Sequence, residues 1–536
     1  MIKKRNCVLV VVLYFFLNPL TTQCENPLEQ AILSDTFDDQ FMGQLDDFAG
    51  DLIDTPHVTR QPPSATLLID ILAVGPVKNT LYATVFNRSH PLVDRSINSL
   101  PFFQFFPDNV YNKKLFSFQS QLFANQISRG FYRKENAGIN AYVNMDFYNE
   151  LEEIDDAVLP GIRISRVFQL FDKVKVQERQ IGSMFSLHMS LSPFWTFGAT
   201  IPLSYLERNF YLSADERAAI EQEQFFKNYD GDYLRFAQDH LIVDKVGVGD
   251  VCCYLEKSIR QTHASKFSLG VQATLPTSFS MAKGMFGTKL NPDTQNPTFN
   301  LHDDFINLYA EGQQGAAKKN AEDFFVGALD RLSTILLERN IGNARHFAVG
   351  PYLRSHLIFK PHVTLTSKLS CEFFSPWQEK RFFKVAINTG VLDTIVATNA
   401  VTDAQATEYI KFLSTLITDK LYLRPYDTTI LPGPVIQSTS RLAYMSTRWT
   451  LAGGTDFWFK AKEYLMNVHA PADVLPTLNL TIARKPFGLQ NSIWVSLERN
   501  KNSGKYWDLS FKVAGTTFST GIGNSITLGF QLSHDF

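Results

Sequence analysis

The sequence is poor in cysteine, in charge and in long apolar runs, and each shortage excludes a class of protein. Five cysteines among 536 residues are too few for a disulfide-rich secreted scaffold. Charged residues make up only 19%, and 51 basic against 53 acidic residues leave no basic footprint of a nucleic-acid-binding protein. Beyond the first residues no apolar run reaches the roughly 18 residues of a membrane-spanning helix, so a helical membrane protein is not expected.

The first 24 residues have the pattern of an export signal. A basic start at Lys3–Arg5 precedes an apolar run over residues 7–17, and Asn18-Pro19 follows it. The run is too short to cross a bilayer but has the length of a signal-peptide core, and cleavage is predicted after Cys24. The alternatives are a buried N-terminal helix and a lipoprotein site at Cys24.

Three cysteines remain after that cleavage, an odd number for an oxidising compartment, so at least one thiol is unpaired or bonds between chains. They are Cys252, Cys253 and Cys371. Adjacent Cys252 and Cys253 are expected on opposite faces of a strand.

Residues 25–110 are predicted to form a separate N-terminal segment. Residues 25–59 carry nine carboxylates and no lysine or arginine, with apolar residues at helical spacing. A solvated acidic helix is favoured over a site for a divalent cation or a partner, because the spacing of a calcium loop is missing. The pattern leaves open whether residues 25–110 plug the remainder of the chain or lie in the periplasm.

From residue 111 to residue 536 the apolar residues recur with a period of two. Phe185, Leu187 and Met189 alternate with serine and histidine, and residues 195–204 and 525–536 alternate in the same way. Further strands are predicted near residues 143, 165, 253, 269, 352, 368, 389, 446, 459, 480, 494 and 510. The polar face is built from serine, threonine, glutamine and glycine, and the apolar face is bulky and aromatic. We therefore predict an all-β fold, a transmembrane antiparallel up-and-down barrel of about 12–16 strands whose outer face contacts lipid.

The segments between the strands predict the orientation of this barrel. With the C-terminus in the periplasm, short connections at residues 193, 360–362 and 500–504 fall on the periplasmic side, and long ones at 207–247 and 276–345 fall outside. Amphipathic helices are predicted within the connections, in loops or in the lumen. They cover residues 213–226, 318–339 and 402–417.

The sequence lacks the common motifs of catalysis and of cofactor binding. It contains no Gly-x-Ser-x-Gly elbow, no His-Glu-x-x-His helix, no phosphate-binding loop and no Cys-x-x-Cys pair. We therefore expect no catalytic, cofactor-binding or metal residues, no cofactor and no enzymatic activity.

The C-terminal strand carries a resemblance. Its apolar face holds Leu528, Phe530 and Leu532, and the chain ends in Phe536. This ending resembles the assembly signal of Gram-negative outer-membrane barrel proteins, which implies localisation in the outer membrane and recognition by the barrel-assembly machinery.

Three internal stretches extend the resemblance to porins and to channels for hydrophobic compounds. Val246–Val251 is similar to the Gly-x-Gly-Asp strand start of the channels for aromatic and fatty compounds, and Leu275–Thr277 is similar to their Leu-Pro-Thr-Gly. Gly454–Trp458 looks like a strand opening that recurs in large barrels of this kind. The resemblance implies passage of a small solute and does not identify it.

The leading hypothesis is thus an outer-membrane channel for small solutes or for a hydrophobic compound, with selectivity set by the charges of its lumen. Pore-lining candidates lie opposite Leu497, Leu509 and Phe511 on the last hairpins; they are Glu498, Asp508, Lys512 and Gln531. The alternative is a surface adhesin or structural barrel that binds a host or partner cell through long loops. A soluble secreted β-protein is the third hypothesis.

Deletion of Phe536 tests the resemblance. The last strand must pair with the first to close a barrel, so loss of its terminal anchor should lower the amount of assembled barrel without changing synthesis. Protease resistance of membrane fractions measures assembly. A deletion of equal length within residues 25–59 is the control and should leave assembly intact. Normal assembly without Phe536 would make this residue an ordinary strand end.

Overall fold

The computed structural model describes eleven stretches of the chain, most of them in its second half. They are residues 92–103, 116–129, 175–212, 218, 233–285, 303–304, 307–308, 311–384, 422–481, 483–499 and 508–535. The chain divides into two compact units, residues 1–61 and 62–536, and every described residue belongs to the second. The predicted signal peptide and the acidic segment 25–59 lie outside the described residues.

Twelve long strands within the described residues form one closed antiparallel barrel, which confirms the predicted fold. They are β1 (Phe116–Arg129), β2 (Lys175–Ser190), β3 (Trp195–Tyr211), β5 (Val251–Gln261), β6 (Ser265–Leu275), β8 (Ala348–Lys360), β9 (Val363–Phe374), β12 (Val435–Met445), β13 (Trp449–Lys460), β15 (Gly488–Arg499), β16 (Asp508–Thr520) and β17 (Asn524–Asp535).

Closure comes from the pairing of the first strand with the last. Strand β1 pairs with β17, from Ser117 opposite Asp535 to Ser128 opposite Asn524, and pairs with β2 along its other edge. A closed sheet satisfies every backbone N–H and C=O group between neighbouring strands, as a hydrocarbon environment requires.

Alternation assigns each strand one apolar outer face and one mostly polar lumen face. Ile181, Leu451 and Ile526 point outward with more than half of their surface exposed, while Ser186, Thr527 and Gln121 are buried inside the barrel. The facing predicted for β2, β3 and β17 is confirmed. The exposed aliphatic and aromatic side chains of the outer face form a surface suited to lipid.

The predicted strand positions were wrong at two places. A strand expected near residue 446 is the turn Ser446–Arg448 between β12 and β13, and residue 480 lies in a turn after a short 3-10 helix (Leu475–Thr477). In both places apolar residues and turn residues are mixed over a short window, and this mixture has the pattern of a strand. Candidate strands near residues 143, 165 and 389 lie outside the described residues.

Short connections gather at one end of the barrel and long ones at the other, as predicted. The short-turn end, at which β17 finishes, carries the turns 191–194, 262–264, 361–362 and 446–448. One connection at the opposite, long-loop end is also short, because Gly521 and Gly523 adopt positive φ angles of 75° and 95° there.

A long helix, α1 (Gln314–Leu337), packs at the long-loop end and confirms the helix predicted at 318–339. Its Ser333 hydroxyl donates to the carbonyl of His240, and Tyr422 donates to the carbonyl of Phe324. Among the described residues no helix is long and apolar enough to cross a membrane. Except for Ala218, which is helical, the helices predicted at 213–226 and 402–417 lie outside the described residues.

The Gly-x-Gly-Asp motif and the Leu275–Thr277 stretch each coincide with a break in a strand of the wall. Strand β4 (Ile242–Val248) is separated from β5 by Gly249 and Asp250, and β7 (Phe279–Lys283) is separated from β6 by residues 276–278. Strand β3 runs past both β4 and β5, which keeps the wall continuous. The interruptions are joined where the Val251 N–H donates to the Thr277 hydroxyl at 2.9 Å.

A second, three-stranded sheet follows the long-loop ends of β9, β12 and β13. It contains β10 (Trp377–Phe383), β11 (Arg424–Leu431) and β14 (Tyr464–His469). Buried Arg381 donates to Glu463 at 3.0 Å and to Glu379 at 2.6 Å. Burial alone would raise the pKa of the Glu379 carboxyl, but Arg381 and His346 outweigh burial and hold that pKa below its usual value.

Arginine substitutions on β3 test the two faces. Ile201→Arg places a cation on the lipid face and should destabilise the barrel by about 2–4 kcal/mol. Thr196→Arg faces the lumen opposite Glu256 and should be far better tolerated. Urea unfolding of the refolded protein in detergent or lipid measures both. Equal cost at the two positions would contradict the assignment of faces.

Candidate functional site

The barrel lumen is the candidate site, and three of the four pore-lining candidates face it with described side chains. Glu498 accepts two hydrogen bonds of 2.9 Å from Arg441, and Lys512 donates to Gln531 at 2.7 Å. Asp508 begins β16, and its side chain lies outside the described atoms. The structure thus places Glu498, Lys512 and Gln531 in the lumen, and their role in a pore stays a prediction.

Residues of the predicted signal for assembly lie on the outer face. Leu528 and Phe530 are exposed on β17, and Leu532 is half-buried on the same face. Phe536 lies outside the described residues, so its role also stays a prediction.

Part of the N-terminal segment, for which the sequence left a plug and a periplasmic position open, lies in the lumen. Residues 92–103, here called the inner segment, lie inside the barrel and touch lumen-facing residues of β1, β2, β12, β13, β15 and β16. The segment contains two short 3-10 helices, Ile97–Ser99 and Pro101–Phe103. This part of the predicted N-terminal segment fills the lumen; residues 25–91 and 104–110 lie outside the described residues.

Arg95 anchors the inner segment to the wall. Its guanidinium donates to Asp456 of β13 at 2.7 Å and to Gln490 of β15 at 2.7 Å. It also lies over the ring of Trp458, 5.6 Å from the ring centre. Arg95 and Asp456 are both buried, so each charge depends on the other for compensation.

Asp456 has further donors besides Arg95. Gln437 donates to it at 2.8 Å and Thr439 at 2.6 Å, both from neighbouring β12. Because three donors surround it, the carboxylate is fully hydrogen-bonded although it is buried. An Asp at an inward position of a strand whose other charged residue is its terminal Lys460 was the sequence signal for this contact, and it lies in the stretch Gly454–Trp458.

An apolar layer lies next to this polar anchor. The inner segment contributes Ile97, Leu100 and Phe103, which pack against lumen-facing residues of the wall. The wall residues are Phe123, Met184, Trp494, Ala443, Ala452 and Ala514. The small alanine side chains leave room for the inner segment between the walls. The layer blocks the part of the lumen that lies between these strands.

Four charged groups form an upper charge cluster at the long-loop end, defined as Asp94, Glu178, Arg208 and Arg339. Arg208 donates to Glu178 at 2.7 Å and also to Asp94. Arg339, which follows α1, donates to Glu178 and lies 3.6 Å from Asp94. The cluster therefore ties the inner segment, β2, β3 and the loop after α1 together.

The interruption between β4 and β5 and the uninterrupted strand β12 also hold the inner segment. Asn98 donates to the carbonyl of Asp250 at 2.9 Å, and Gln437 donates to the carbonyl of Ser99 at 2.7 Å. The Asp250 carboxylate accepts the N–H of Ser278 at 2.9 Å and the N–H of Asn343. The carboxylate of the Asp in the Gly-x-Gly-Asp motif thus accepts hydrogen bonds from backbone N–H groups. It joins its own segment to the one at Ser278 and the one at Asn343.

The lumen nearer the short-turn end is polar and charged. Glu256 accepts a hydrogen bond of 3.1 Å from Tyr352 and lies 3.8 Å from Arg354 and 4.0 Å from Lys266. The Tyr352 ring lies against Gly270, where a side chain would collide with it. Such buried charges and hydroxyls are consistent with a lumen that contains water.

A cavity remains between the inner segment and the wall. It is small: its enclosed volume is about 40 Å³, and it opens to solvent. It is lined on one side by Ser96, Asn98, Ser99 and Phe103, and on the other by residues of β3, β5, β6, β9 and β12.

The three cysteines of the described residues are unpaired. Cys252 lines this cavity, whereas Cys253 and Cys371 occupy outward positions of their strands. The predicted opposite facing of the adjacent pair is confirmed.

Comparison with known proteins identifies similar folds only. No family model matches the chain, and no curated protein matches it. An outer membrane channel from Pseudomonas putida F1 is 9% identical with a TM-score of 0.39, covering 81% of this chain and 100% of that one. A mutant of the TodX monoaromatic hydrocarbon channel is 10% identical with a TM-score of 0.32, covering 87% and 100%.

A third similar structure is the translocator domain of the autotransporter NalP from Neisseria meningitidis, 6% identical with a TM-score of 0.30, covering 80% of this chain and 90% of that one. These are outer-membrane barrels, the class that the sequence resembles.

A double-mutant cycle on Arg95 and Asp456 tests the anchor. Arg95→Ala leaves a buried carboxylate without its cation and should lower the free energy of unfolding by about 3–5 kcal/mol. Asp456→Leu should cost a similar amount, and Arg95→Ala combined with Asp456→Leu should cost much less than the sum. Urea unfolding monitored by the heat-modifiable gel shift measures all four proteins. Additivity within about 0.5 kcal/mol would show that the two groups do not interact.

Proposed function

We propose that this protein is an outer-membrane β-barrel channel, without enzymatic activity, whose inner segment forms the constriction that small solutes must pass. The observation that carries the proposal is the Arg95–Asp456 contact. A chain segment is held by a buried ion pair across a lumen whose walls are polar, while the outer face of the same barrel is apolar.

The apolar surface of the barrel's outer face supports localisation in the outer membrane. Exposed residues such as Leu122, Leu255 and Leu353 follow one another around the barrel, and they would cost free energy in water. Export by the predicted signal peptide and assembly through the last strand fit this location. The short-turn end then faces the periplasm, and the long loops face outward.

The mechanism is passive passage beside the inner segment. The apolar layer of Leu100, Phe103 and Trp494 blocks the direct path, so a solute crosses only where the cavity lies or when the segment shifts. The hydrogen bonds of Arg95 determine how readily the segment shifts. Selectivity follows from the lumen charges Glu256, Lys512 and Glu498.

A second candidate function is binding of a partner or host cell at the long-loop end. The sheet β10–β11–β14 favours it, because Trp377, Tyr464 and Met466 expose apolar surface outside the barrel. Single-channel recordings distinguish the two functions, because a purely adhesive barrel would not conduct.

Conductance of the purified protein in planar bilayers tests the channel. The wild-type protein should show small steps, and Arg95→Ala should raise the step size severalfold because the inner segment loses its anchor. Arg381→Ala is the matched control: it removes another buried arginine, but from the sheet outside the barrel, and should leave conductance unchanged. Proteins that conduct no ions, with or without Arg95, would contradict the proposed channel.

A further inference from the structure

Cations outnumber carboxylates on the lumen face nearer the short-turn end, and this excess bears on which solutes the channel admits. Among the described side chains within six residues of the short-turn ends of the strands, five cations face the lumen, namely Lys266, Arg354, Lys368, Arg441 and Lys512. Two described carboxylates, those of Glu256 and Glu498, face the lumen in the same region.

Further carboxylates lie at the two limits of this region. Asp508 and Asp535 are the end residues of β16 and β17 at the short-turn mouth, and their side chains lie outside the described atoms. Counting both still leaves one cation more than carboxylates. Glu372 lies beyond the region, beside the inner segment, where it accepts a hydrogen bond of 2.7 Å from Gln272. The region between the mouth and the inner segment is therefore positive.

Two of the cations are direct neighbours across strands. Arg354 lies opposite Lys368 in the pairing of β8 with β9, and both point into the lumen. Like charges in directly opposite positions destabilise a sheet. Glu256 lies 3.8 Å from Arg354, but it also lies 4.0 Å from Lys266. One carboxylate thus lies among three cations, and an anion in the lumen would lower the repulsion between them.

Two more cations lie near the carboxylate of Glu498. Arg441 donates two hydrogen bonds of 2.9 Å to it. Lys512 also acts on this carboxylate, while its ammonium group donates to the amide oxygen of Gln531 at 2.7 Å. Two cations again face one carboxylate, on strands β12, β15 and β16.

Uncharged donors on β1 and β16 add to the positive character of the lumen. The side-chain amide nitrogens of Gln119 and Gln121 and the hydroxyl of Ser510 are buried without a partner among the described residues. Gln121 and Ser510 both lie opposite Gln531, on the two strands beside β17. Gln531 is the acceptor of Lys512. An anion is the acceptor that these N–H and O–H groups and the lysine have in common.

Given the channel proposed above, on which this inference rests, we propose that the lumen near the short-turn end selects small anions over cations. The chemical class is a small inorganic or carboxylate anion, which the side-chain cations attract and which the uncharged donors can hydrogen-bond. Potassium and other cations are repelled at the same level. Selectivity of this kind acts through the field of the charges, so it weakens when salt screens them.

The reversal potential of single channels in a KCl gradient measures this preference on the full-length protein. Wild-type channels should pass chloride in preference to potassium. Lys368→Gln and Lys512→Gln should each lower the ratio of chloride to potassium permeability roughly two- to threefold, the effect of a unit charge at about 7 Å in salt solution. Raising the salt concentration should lower the ratio in the wild-type protein as well.

Two further variants supply the matched controls. Lys257→Gln also removes a lysine near the short-turn end, but this lysine lies on the outer face, with its Nζ 5.3 Å from the centre of the Trp195 ring. The permeability ratio of this variant should stay unchanged. Lys368→Arg retains the lumen charge and should keep the wild-type ratio. The heat-modifiable gel shift verifies that each variant is folded.

The outcomes separate this inference from the proposed function. Protein that passes no ions would overturn the channel itself. Channels that pass potassium and chloride equally, or that prefer potassium, would overturn only the selectivity for anions. A ratio that Lys257→Gln lowers as much as Lys512→Gln would overturn its assignment to the charges of the lumen.

Discussion

The contact between Arg95 and Asp456 is the interaction on which the closed lumen depends. Both groups are buried, and neither has the water that would stabilise its charge alone. Gln437 and Thr439 donate to the Asp456 carboxylate, and Gln490 accepts a hydrogen bond from Arg95. These directional contacts fix the orientation of the two side chains and hold the inner segment in place. A segment with little regular structure of its own is thus held across the barrel.

The rest of the lumen is arranged around this contact in layers. The upper charge cluster lies at the long-loop end, and the apolar layer of Ile97, Leu100 and Phe103 fills the width left by three wall alanines. Nearer the short-turn end, Glu256 and Glu498 each meet an arginine and leave the lumen polar. The same barrel therefore contains an apolar layer, which the inner segment forms with the wall, and a polar region nearer the short-turn end.

The barrel itself could be predicted from the sequence because each strand is exposed to two different solvents. Leu528 and Thr527 are neighbours, and one faces outward while the other is buried, so a period of two appears directly in the residues. Glu498 and Lys512 were placed in the lumen on the same ground. Their contacts with Arg441 and Gln531 depend on which strands lie next to each other, and alternation does not reveal the order of the strands.

The inner segment could not be predicted in this way. Its contacts are between residues far apart in the chain, such as Arg95 and Asp456, and its short 3-10 helices leave no periodic pattern. Val93 packs in one cluster of lumen residues and Ile97 and Leu100 pack in another, so their spacing reflects the shape of the lumen and not a repeat. The one available signal was charge: Asp94 and Arg95 interrupt an apolar stretch, and Asp456 lies on an inward strand position.

Hydrogen exchange of residues 92–103 in the full-length protein tests the central claim, that this segment occupies the lumen. The N–H groups of Val93, Ser99, Leu100 and Phe103 are hydrogen-bonded within a buried segment. Mass spectrometry of the peptide should therefore show exchange nearly as slow as in strand β15, and Arg95→Ala should accelerate it. Exchange in the wild-type protein as fast as in an exposed loop would show that the lumen is open.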